Sequence, residues 1–219
     1  MVKRMVKFFI SATLAGVMFG VPLVPAFAVN ILGNPGFETG SLPPWVISVT
    51  CGGVSGCEDW NVTSADKHSG SFSATEVSNL VEDTFGDGPT LKQTFSSPVA
   101  PSSIHQVSFW NRYPDASQTQ VTLDFFYSNN TSQAFGGSNT TTDWTFHDFT
   151  TDLASAPPNT DLVAIAISPV GDLLNQSTNR RMYLDDVIVD AAVPEPGSLA
   201  LFATGFFGLG GFQILRRRR

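Results

Sequence analysis

The chain has 219 residues, of which 42% are hydrophobic and only 14% are charged, and its net charge is −7. Over residues 29–192, acidic residues outnumber basic ones more than threefold; the basic residues there are Lys67, Lys92, Arg112, Arg180 and Arg181. A surface of this sign repels phosphate groups, which argues against nucleic acid as a partner and suits a neutral glycan or a divalent cation.

The first residues have the layout of a secretory signal peptide. A basic start at Lys3, Arg4 and Lys7 precedes an uncharged apolar stretch over residues 8–21, and Ala26-Phe27-Ala28 is a small-x-small cleavage site. Such a segment directs export and is removed from the mature protein. We predict a signal peptide over residues 1–28 that is cut after Ala28. A membrane anchor is the alternative, which the short apolar stretch disfavours.

The chain has two cysteines, Cys51 and Cys57, close together in sequence. In the oxidising compartment that the signal peptide implies, such a pair is expected to form a disulfide. Closing so short a loop stabilises a fold by about 2 kcal/mol. A redox pair or a metal pair is the alternative, but the spacing is longer than C-x-x-C and no second Cys/His pair accompanies it.

The residues between the two ends have the composition and patterning of a β protein. Strand candidates alternate apolar and polar residues or are continuously apolar; they cover residues 91–95, 106–113, 121–127, 144–149, 162–168 and 182–189. Clusters of Gly, Pro, Asn, Asp and Ser separate them and mark turns. Short strands with regular turns predict one all-β sandwich domain over residues 29–190.

The C-terminal segment, residues 191–219, combines a short motif with an apolar stretch and a basic end. Val193-Pro194-Glu195-Pro196 precedes a span of small and apolar residues at about 197–215, and residues 216–219 are all arginine. The span has about the 20 residues that a helix needs to cross a bilayer. Arginines flanking a span stay in the cytoplasm. We therefore predict an inner-membrane span with the β domain outside the cytoplasm.

This tail resembles the PEP-CTERM sorting signal of Gram-negative bacteria, through the Val193-Pro194-Glu195-Pro196 motif, the span and the arginines. The resemblance implies processing by an exosortase, a membrane enzyme, in bacteria that make exopolysaccharide and biofilm. The protein would be held in the inner membrane with a periplasmic domain, and would then reach the cell surface or the extracellular matrix. A plain C-terminal anchor is the alternative.

Four segments, in order, resemble the galactose-binding-like jelly roll, which is the fold of many carbohydrate-binding modules. They are the opening stretch 30–45 with Gly36-Phe37-Glu38, the turn and strand at 67–74, the strand at 106–110, and Tyr183-Leu184-Asp185-Asp186-Val187. Together they span nearly the whole mature domain. The resemblance implies a jelly-roll β-sandwich.

The same resemblance implies a structural calcium ion in some members of the family. Carried over to this chain, its ligands are Glu38, Gly36 through its carbonyl, Asp66 near the turn, and Asp185. Calcium prefers six to eight hard oxygen ligands, which carboxylates and carbonyls supply. The alternative is that Glu38 and Asp185 are solvated or bond to backbone amides.

The sequence offers no recognisable catalytic motif. His68, His105 and His147 are scattered, and neither a G-x-S-x-G elbow nor an H-E-x-x-H motif is present. Asp185 and Asp186 are neighbours in a predicted strand, where adjacent side chains point to opposite faces, so they are not expected to act as an acid/base pair. We predict that the protein is not an enzyme.

A sugar site needs an exposed aromatic ring for stacking and polar side chains for the hydroxyls. Trp60 and Tyr113 both flank loops and are predicted to be exposed, with Arg112 beside them, whereas Trp45 and Trp110 are expected to pack in the core. These patterns predict an exported, non-catalytic module that binds exopolysaccharide. The alternative is a structural matrix protein or adhesin without a defined small-ligand site.

Overall fold

A computed structural model of the chain describes residues 28–49, 58–78, 89–115, 119–170 and 180–192. The signal peptide up to residue 27, Cys51, Cys57, and the 193–219 tail with its motif, span and arginines lie outside the described residues. The signal peptide, the disulfide and the membrane span therefore stay predictions. Within the described ranges, no helix is long and apolar enough to cross a membrane.

The described residues form strands joined by turns and two short 3₁₀ helices, at Pro101–Ser103 and Thr150–Ser155. The strands are β1 (Ala28–Asn30), β2 (Val46–Val49), β3 (Glu58–Thr63), β4 (Ser73–Ser78), β5 (Thr90–Val99), β6 (Ile104–Arg112), β7 (Thr119–Tyr127), β8 (Ser132–Asn139), β9 (Thr145–Asp148), β10 (Leu162–Val170) and β11 (Arg180–Ala192). All six predicted strands overlap observed ones.

The strands pair into two antiparallel sheets, so the predicted all-β sandwich is confirmed. One sheet has the order β3-β4-β11-β6-β9, with β1 added beside β11, and the other has the order β2-β5-β10-β7-β8. In β7, Val121, Leu123 and Phe125 are completely buried, as strand alternation predicts. Full burial of one such side chain stabilises a fold by about 2 kcal/mol.

Strand β11 ties the opening segment of the domain to its centre. It pairs with β1, β4 and β6. The side chain of Asn30 donates to the carbonyl of Val187 and accepts from the amide of Val189, and the amide of Val187 donates to the carbonyl of Pro35. These bonds bring the Gly36-Phe37-Glu38 turn next to Asp185.

The paired strands β6 and β9 reverse the usual distribution of polar and apolar side chains. Asn111 and His147 face the interior and are buried, whereas Trp110 and Phe146, which pair across the two strands, face outward. A buried polar group and an exposed apolar patch are both informative departures from the usual distribution. This pair of strands is therefore a candidate location for a functional site.

Candidate functional site

Four aromatic rings form a continuous cluster on the outer side of the six-stranded sheet; we call it the aromatic patch, and it consists of His68, Trp110, Trp144 and Phe146. The ring of Phe146 lies 5.2 Å from that of Trp110. The imidazole of His68 stacks on Trp110 at 4.0 Å with a 13° angle between the planes, and it meets Trp144 edge-on at 5.6 Å. Phe146 is 43% exposed.

The position of Trp110 differs from the expectation that it packs in the core. Trp110 is only partly buried and lies beside Phe146 on the outer face. The inward positions of β6 are taken by Val107, Phe109 and Asn111. Trp110 falls on the other face because side chains alternate along a strand.

Trp60 and Tyr113 are not exposed, so the prediction that they offer surface rings is wrong. Trp60 is 3% exposed and its indole N–H donates to the carbonyl of Pro89. Tyr113 is 2% exposed and its hydroxyl donates to the carbonyl of Gln120 at 2.9 Å. Trp60 shares the inward face of β3, and Tyr113 continues the inward alternation of β6, so nearness to a loop does not expose either ring.

Arg112 is partly buried and is already engaged by two loops. One guanidinium nitrogen lies 2.6 Å from the Oδ2 of Asp66, and its Nε donates to the carbonyl of Thr142 at 2.8 Å. Asp66 precedes His68 by two residues and Thr142 precedes Trp144 by two residues. Arg112 therefore connects the two loops that carry rings of the patch, and a direct role in ligand binding stays a prediction.

The loop that carries His68 is held by the carboxylate of Asp185. The backbone amides of His68 and Ser69 donate to Asp185 Oδ2 at 2.9 and 3.0 Å, and the amide of Asp186 donates to Oδ1 at 2.8 Å. Asp185 is 0% exposed, and burial raises its pKa to about 6, although the amide bonds act in the opposite direction.

Asp186 contacts the same loop through side chains. His68 Nδ1 lies 2.7 Å from Asp186 Oδ2, and the Ser69 hydroxyl donates to Asp186 Oδ1 at 2.7 Å. The expectation that Asp185 and Asp186 point to opposite faces is therefore wrong. The β6–β11 register shifts between Asp185 and Ile188, and Asp186 has a φ of 48°, so the regular alternation is interrupted here.

Only some of the implied calcium ligands lie close together in the structure. Asp66 is turned towards Arg112, whereas Glu38 and Asp185 flank Gly36. Glu38 accepts the amides of Ser71 and Phe72, and among the described residues no three His, Cys, Asp or Glu side chains converge on a common point. Asp66 does not fit the set, the other carboxylates bond to backbone amides, and calcium binding stays a prediction.

A second polar cluster lies inside the sandwich, directly behind the patch. His147 Nε2 lies 2.8 Å from Asn111 Oδ1 and 3.1 Å from Asn139 Oδ1, and Asn139 Nδ2 donates to Asn111 Oδ1 at 3.0 Å. Burial lowers the pKa of His147 to about 4, so the ring is neutral at physiological pH. Asn139 belongs to β8, so this cluster connects the two sheets.

Gly137 on β8 makes room for this histidine. A Cβ atom at Gly137 would lie 2.4 Å from His147 Nδ1, which is closer than atoms in van der Waals contact can come. Any larger residue would push the imidazole away from the two asparagines. The two glycines of β8 also explain why its sequence did not indicate a strand, since glycine has a low preference for strands.

A shallow cavity of about 550 Å³ lies elsewhere, where the two 3₁₀ helices approach the start of β10. Its lining includes Ile104, Leu153 and Pro157, with Thr160 and Asp161 as polar residues, and it contains no aromatic ring. Sugar recognition by stacking requires aromatic faces, so the aromatic patch is the better candidate for a glycan.

Comparison with protein-family models matches residues 192–219 to the PEP-CTERM protein-sorting motif. The prediction made from Val193-Pro194-Glu195-Pro196 and the segment after it is therefore confirmed. Comparison with the curated proteins finds no match.

Several solved structures resemble the sandwich. The xylan-binding CBM22-1 domain of Xyn10C from Paenibacillus barcinonensis is 11% identical, with 78% of this chain and 99% of that chain covered and a TM-score of 0.52. TmCBM61, solved with β-1,4-galactotriose, is 18% identical over 73% and 97% of the two chains, with a TM-score of 0.49. The agarase AgWH50C is 10% identical, with 76% of this chain and 26% of that chain covered and a TM-score of 0.47. The first likeness shows that the sandwich is similar in fold to this domain.

Proposed function

We propose that this protein is an exported, non-catalytic carbohydrate-binding protein that an exosortase processes and that binds exopolysaccharide at or beyond the cell surface. The outward-facing aromatic patch is the observation that carries the proposal. The sorting motif supports export, and the module fold supports a glycan as the ligand. Phe146 leaves 43% of its surface in water beside three further rings, and an exposed apolar patch is typical of a binding surface.

The patch suits weak binding to a long, neutral chain. The rings offer apolar faces for the C–H faces of sugar rings, and one aromatic contact contributes about 1 kcal/mol beyond the area that it buries. A few such contacts give dissociation constants of about a micromolar to a millimolar. Asp186 borders the patch and Arg112 is already paired with Asp66, so the local charge disfavours a polyanion.

The described residues around the patch do not form a catalytic relay. His68 and Ser69 both bond to Asp186, and no hydrogen bond joins them to each other within the described residues. A nucleophile must lie within hydrogen-bond reach of its base. We therefore propose that the protein leaves its polysaccharide uncut, which the length distribution of a soluble polysaccharide after incubation would check.

The proposal is tested on protein recovered from the cell surface, whose intact mass should lack the C-terminal arginines. This protein is run in native gels that contain xylan, galactan or agarose, with alginate as the anionic comparison. Retardation is expected in at least one neutral gel and not in alginate. Phe146→Ala should weaken retention about fivefold, because one stacking contact of about 1 kcal/mol is lost.

Val46→Ala is the matched control, because Val46 is 62% exposed but lies on β2 of the other sheet. Both variants should melt like the wild type, and only Phe146→Ala should lose retention. If the folded wild type is retarded by none of these polysaccharides, nor by the polysaccharide of its own host, a structural matrix role replaces the proposal.

A further inference from the structure

We infer that His68 is the residue that orients the bound sugar: its Nε2 accepts a hydrogen bond from a sugar hydroxyl, and Asp186 positions it by fixing the imidazole tautomer. This inference rests on the proposed glycan-binding function and deepens it. It identifies a specificity-determining atom within the aromatic patch and defines the ligand as a neutral, hydroxyl-rich chain.

The imidazole lies in the middle of the patch. It stacks on Trp110 at 4.0 Å and meets Trp144 at 5.6 Å, and 29% of its side chain is exposed. A sugar that stacks on the neighbouring rings therefore comes within reach of the histidine ring. The other three members of the patch offer a ligand only two polar side-chain groups, the indole N–H groups of Trp110 and Trp144, and neither can accept a hydrogen bond.

Asp186 determines which ring nitrogen carries the proton. Its carboxylate only accepts hydrogen bonds, so the nitrogen 2.7 Å away, Nδ1 of His68, is the one that donates. A neutral imidazole with a proton on Nδ1 has a bare acceptor at Nε2. Within the described part of the chain, Nε2 of His68 has no hydrogen-bond partner, whereas Nε2 of the buried His147 has two.

The ring is also fixed before any ligand arrives. The backbone amides of His68 and Ser69 are held by Asp185, and the Ser69 hydroxyl is held by Asp186. A side chain that is already in its bound position loses little conformational entropy on binding, so one hydrogen bond can contribute useful affinity.

The chemistry of the Nε2 acceptor restricts the class of ligand that this site can bind. A bare nitrogen beside a carboxylate attracts O–H groups and repels carboxylate groups. A neutral sugar with a hydroxyl near His68 Nε2 therefore suits this site, and a uronic acid does not. The two aspartates that hold His68 place negative charge behind it, which strengthens this preference.

The experiment compares two replacements of His68 in the full exported protein, with the neutral polysaccharide that retards the wild type most as the probe. His68→Phe keeps a flat ring for stacking and removes the acceptor, and should lose at least tenfold in affinity. His68→Gln loses the ring but its amide oxygen can reach the position of Nε2, and should retain more affinity than His68→Phe. Asp186→Asn, which no longer fixes the tautomer, should fall between them.

His105→Phe is the control, since His105 is an exposed residue at the start of β6 and lies away from the patch. If His68 acted through stacking alone, the order would reverse, with phenylalanine at least as good as glutamine; that result would overturn the inference. As a measurement on the wild type, the ¹⁵N resonance of His68 Nε2 should shift when a soluble oligosaccharide of the same polymer is added.

The experiment distinguishes a failure of the proposed glycan-binding function from a failure of the inference about His68. A wild type that binds no glycan overturns the proposed function together with this inference. A wild type that binds, with His68→Phe binding equally well or with an Nε2 resonance that the oligosaccharide does not move, overturns only the inference about His68.

Discussion

The two faces of the β6–β9 pair place chemically similar residues in opposite situations. On the inner face, His147 is surrounded by Asn111 and Asn139, and its Nε2 is bonded twice. On the outer face, His68 lies on Trp110, is bonded once through Nδ1, and keeps Nε2 available. The inner histidine makes its hydrogen bonds within the fold, whereas the outer one is held in place and leaves Nε2 free to accept a hydrogen bond from a ligand.

This difference separates structural from functional polarity. A buried polar group costs free energy unless it is hydrogen-bonded. The inner cluster therefore leaves the fold stable only when all its hydrogen bonds are made. An exposed aromatic group gains little from folding, and a patch of such groups is typical of a surface that contacts a partner. Substitutions on the inner face should therefore change stability, and substitutions on the outer face should change binding.

The largest stability effect is expected from Trp60 and Tyr113, whose rings are buried in the core. Trp60→Ala and Tyr113→Ala should each lower the free energy of unfolding by about 3–5 kcal/mol, because each empties a large site in the core. Phe146→Ala should change it by less than about 0.5 kcal/mol. Urea unfolding measures all three. A Trp60→Ala protein with unchanged stability and weaker glycan binding would reverse the assignment of the two faces.

Two buried groups, His147 and Asp185, should each change stability by about 3 kcal/mol as they titrate, in opposite directions. Burial lowers the pKa of His147 from 6.5 to about 4. The stability that the neutral ring provides is complete above about pH 6.5 and is lost as the pH falls towards 4, and the difference between these pKa values corresponds to about 3 kcal/mol. Burial raises the pKa of Asp185 from 3.8 to about 6. Its contribution has the opposite sign, since it is present at low pH and is lost as the pH rises through 6.

The two titrations should nearly cancel in the wild type, so its stability should vary little between pH 4 and 6.5. Asp185→Asn removes the opposing contribution and should make stability fall steeply on acidification, whereas His147→Gln should make it rise. Urea unfolding at several pH values checks this, with His105→Gln as an exposed control. Parallel curves for the wild type and both variants would show that neither burial site controls the pH dependence.

The smallest effect is expected from calcium. A ligand that binds only the folded state would add about 2.7 kcal/mol at a hundredfold excess over its dissociation constant. Glu38 and Asp185 already accept backbone amides and Asp66 is paired with Arg112, so calcium would have to displace these bonds. We therefore expect a rise in melting temperature smaller than this figure implies, which Asp185→Ala should abolish. The same melting curve with calcium and with a chelator would contradict the ion that the family resemblance implies.

Much of this protein follows from local sequence patterns. The alternation in residues 121–127 and the continuous apolar stretch at 162–168 each depend on contacts with a core that any sandwich provides, so strands β7 and β10 could be predicted. The sorting motif could be recognised because it is read as a linear segment. Recognising it requires no knowledge of which residues the fold brings together.

The site could not be predicted, because its members are distant in sequence. His68 meets Trp110 and Asp186 only because β11 lies beside β6, and a bulge at Asp186 breaks the alternation on which the sequence argument relied. Alternation does place Trp110 and Arg112 on the face opposite Phe109, but it does not say which face is buried. Only the packing of the two sheets decided that Trp60 and Tyr113 belong to the core and that Trp110 and Phe146 face the solvent.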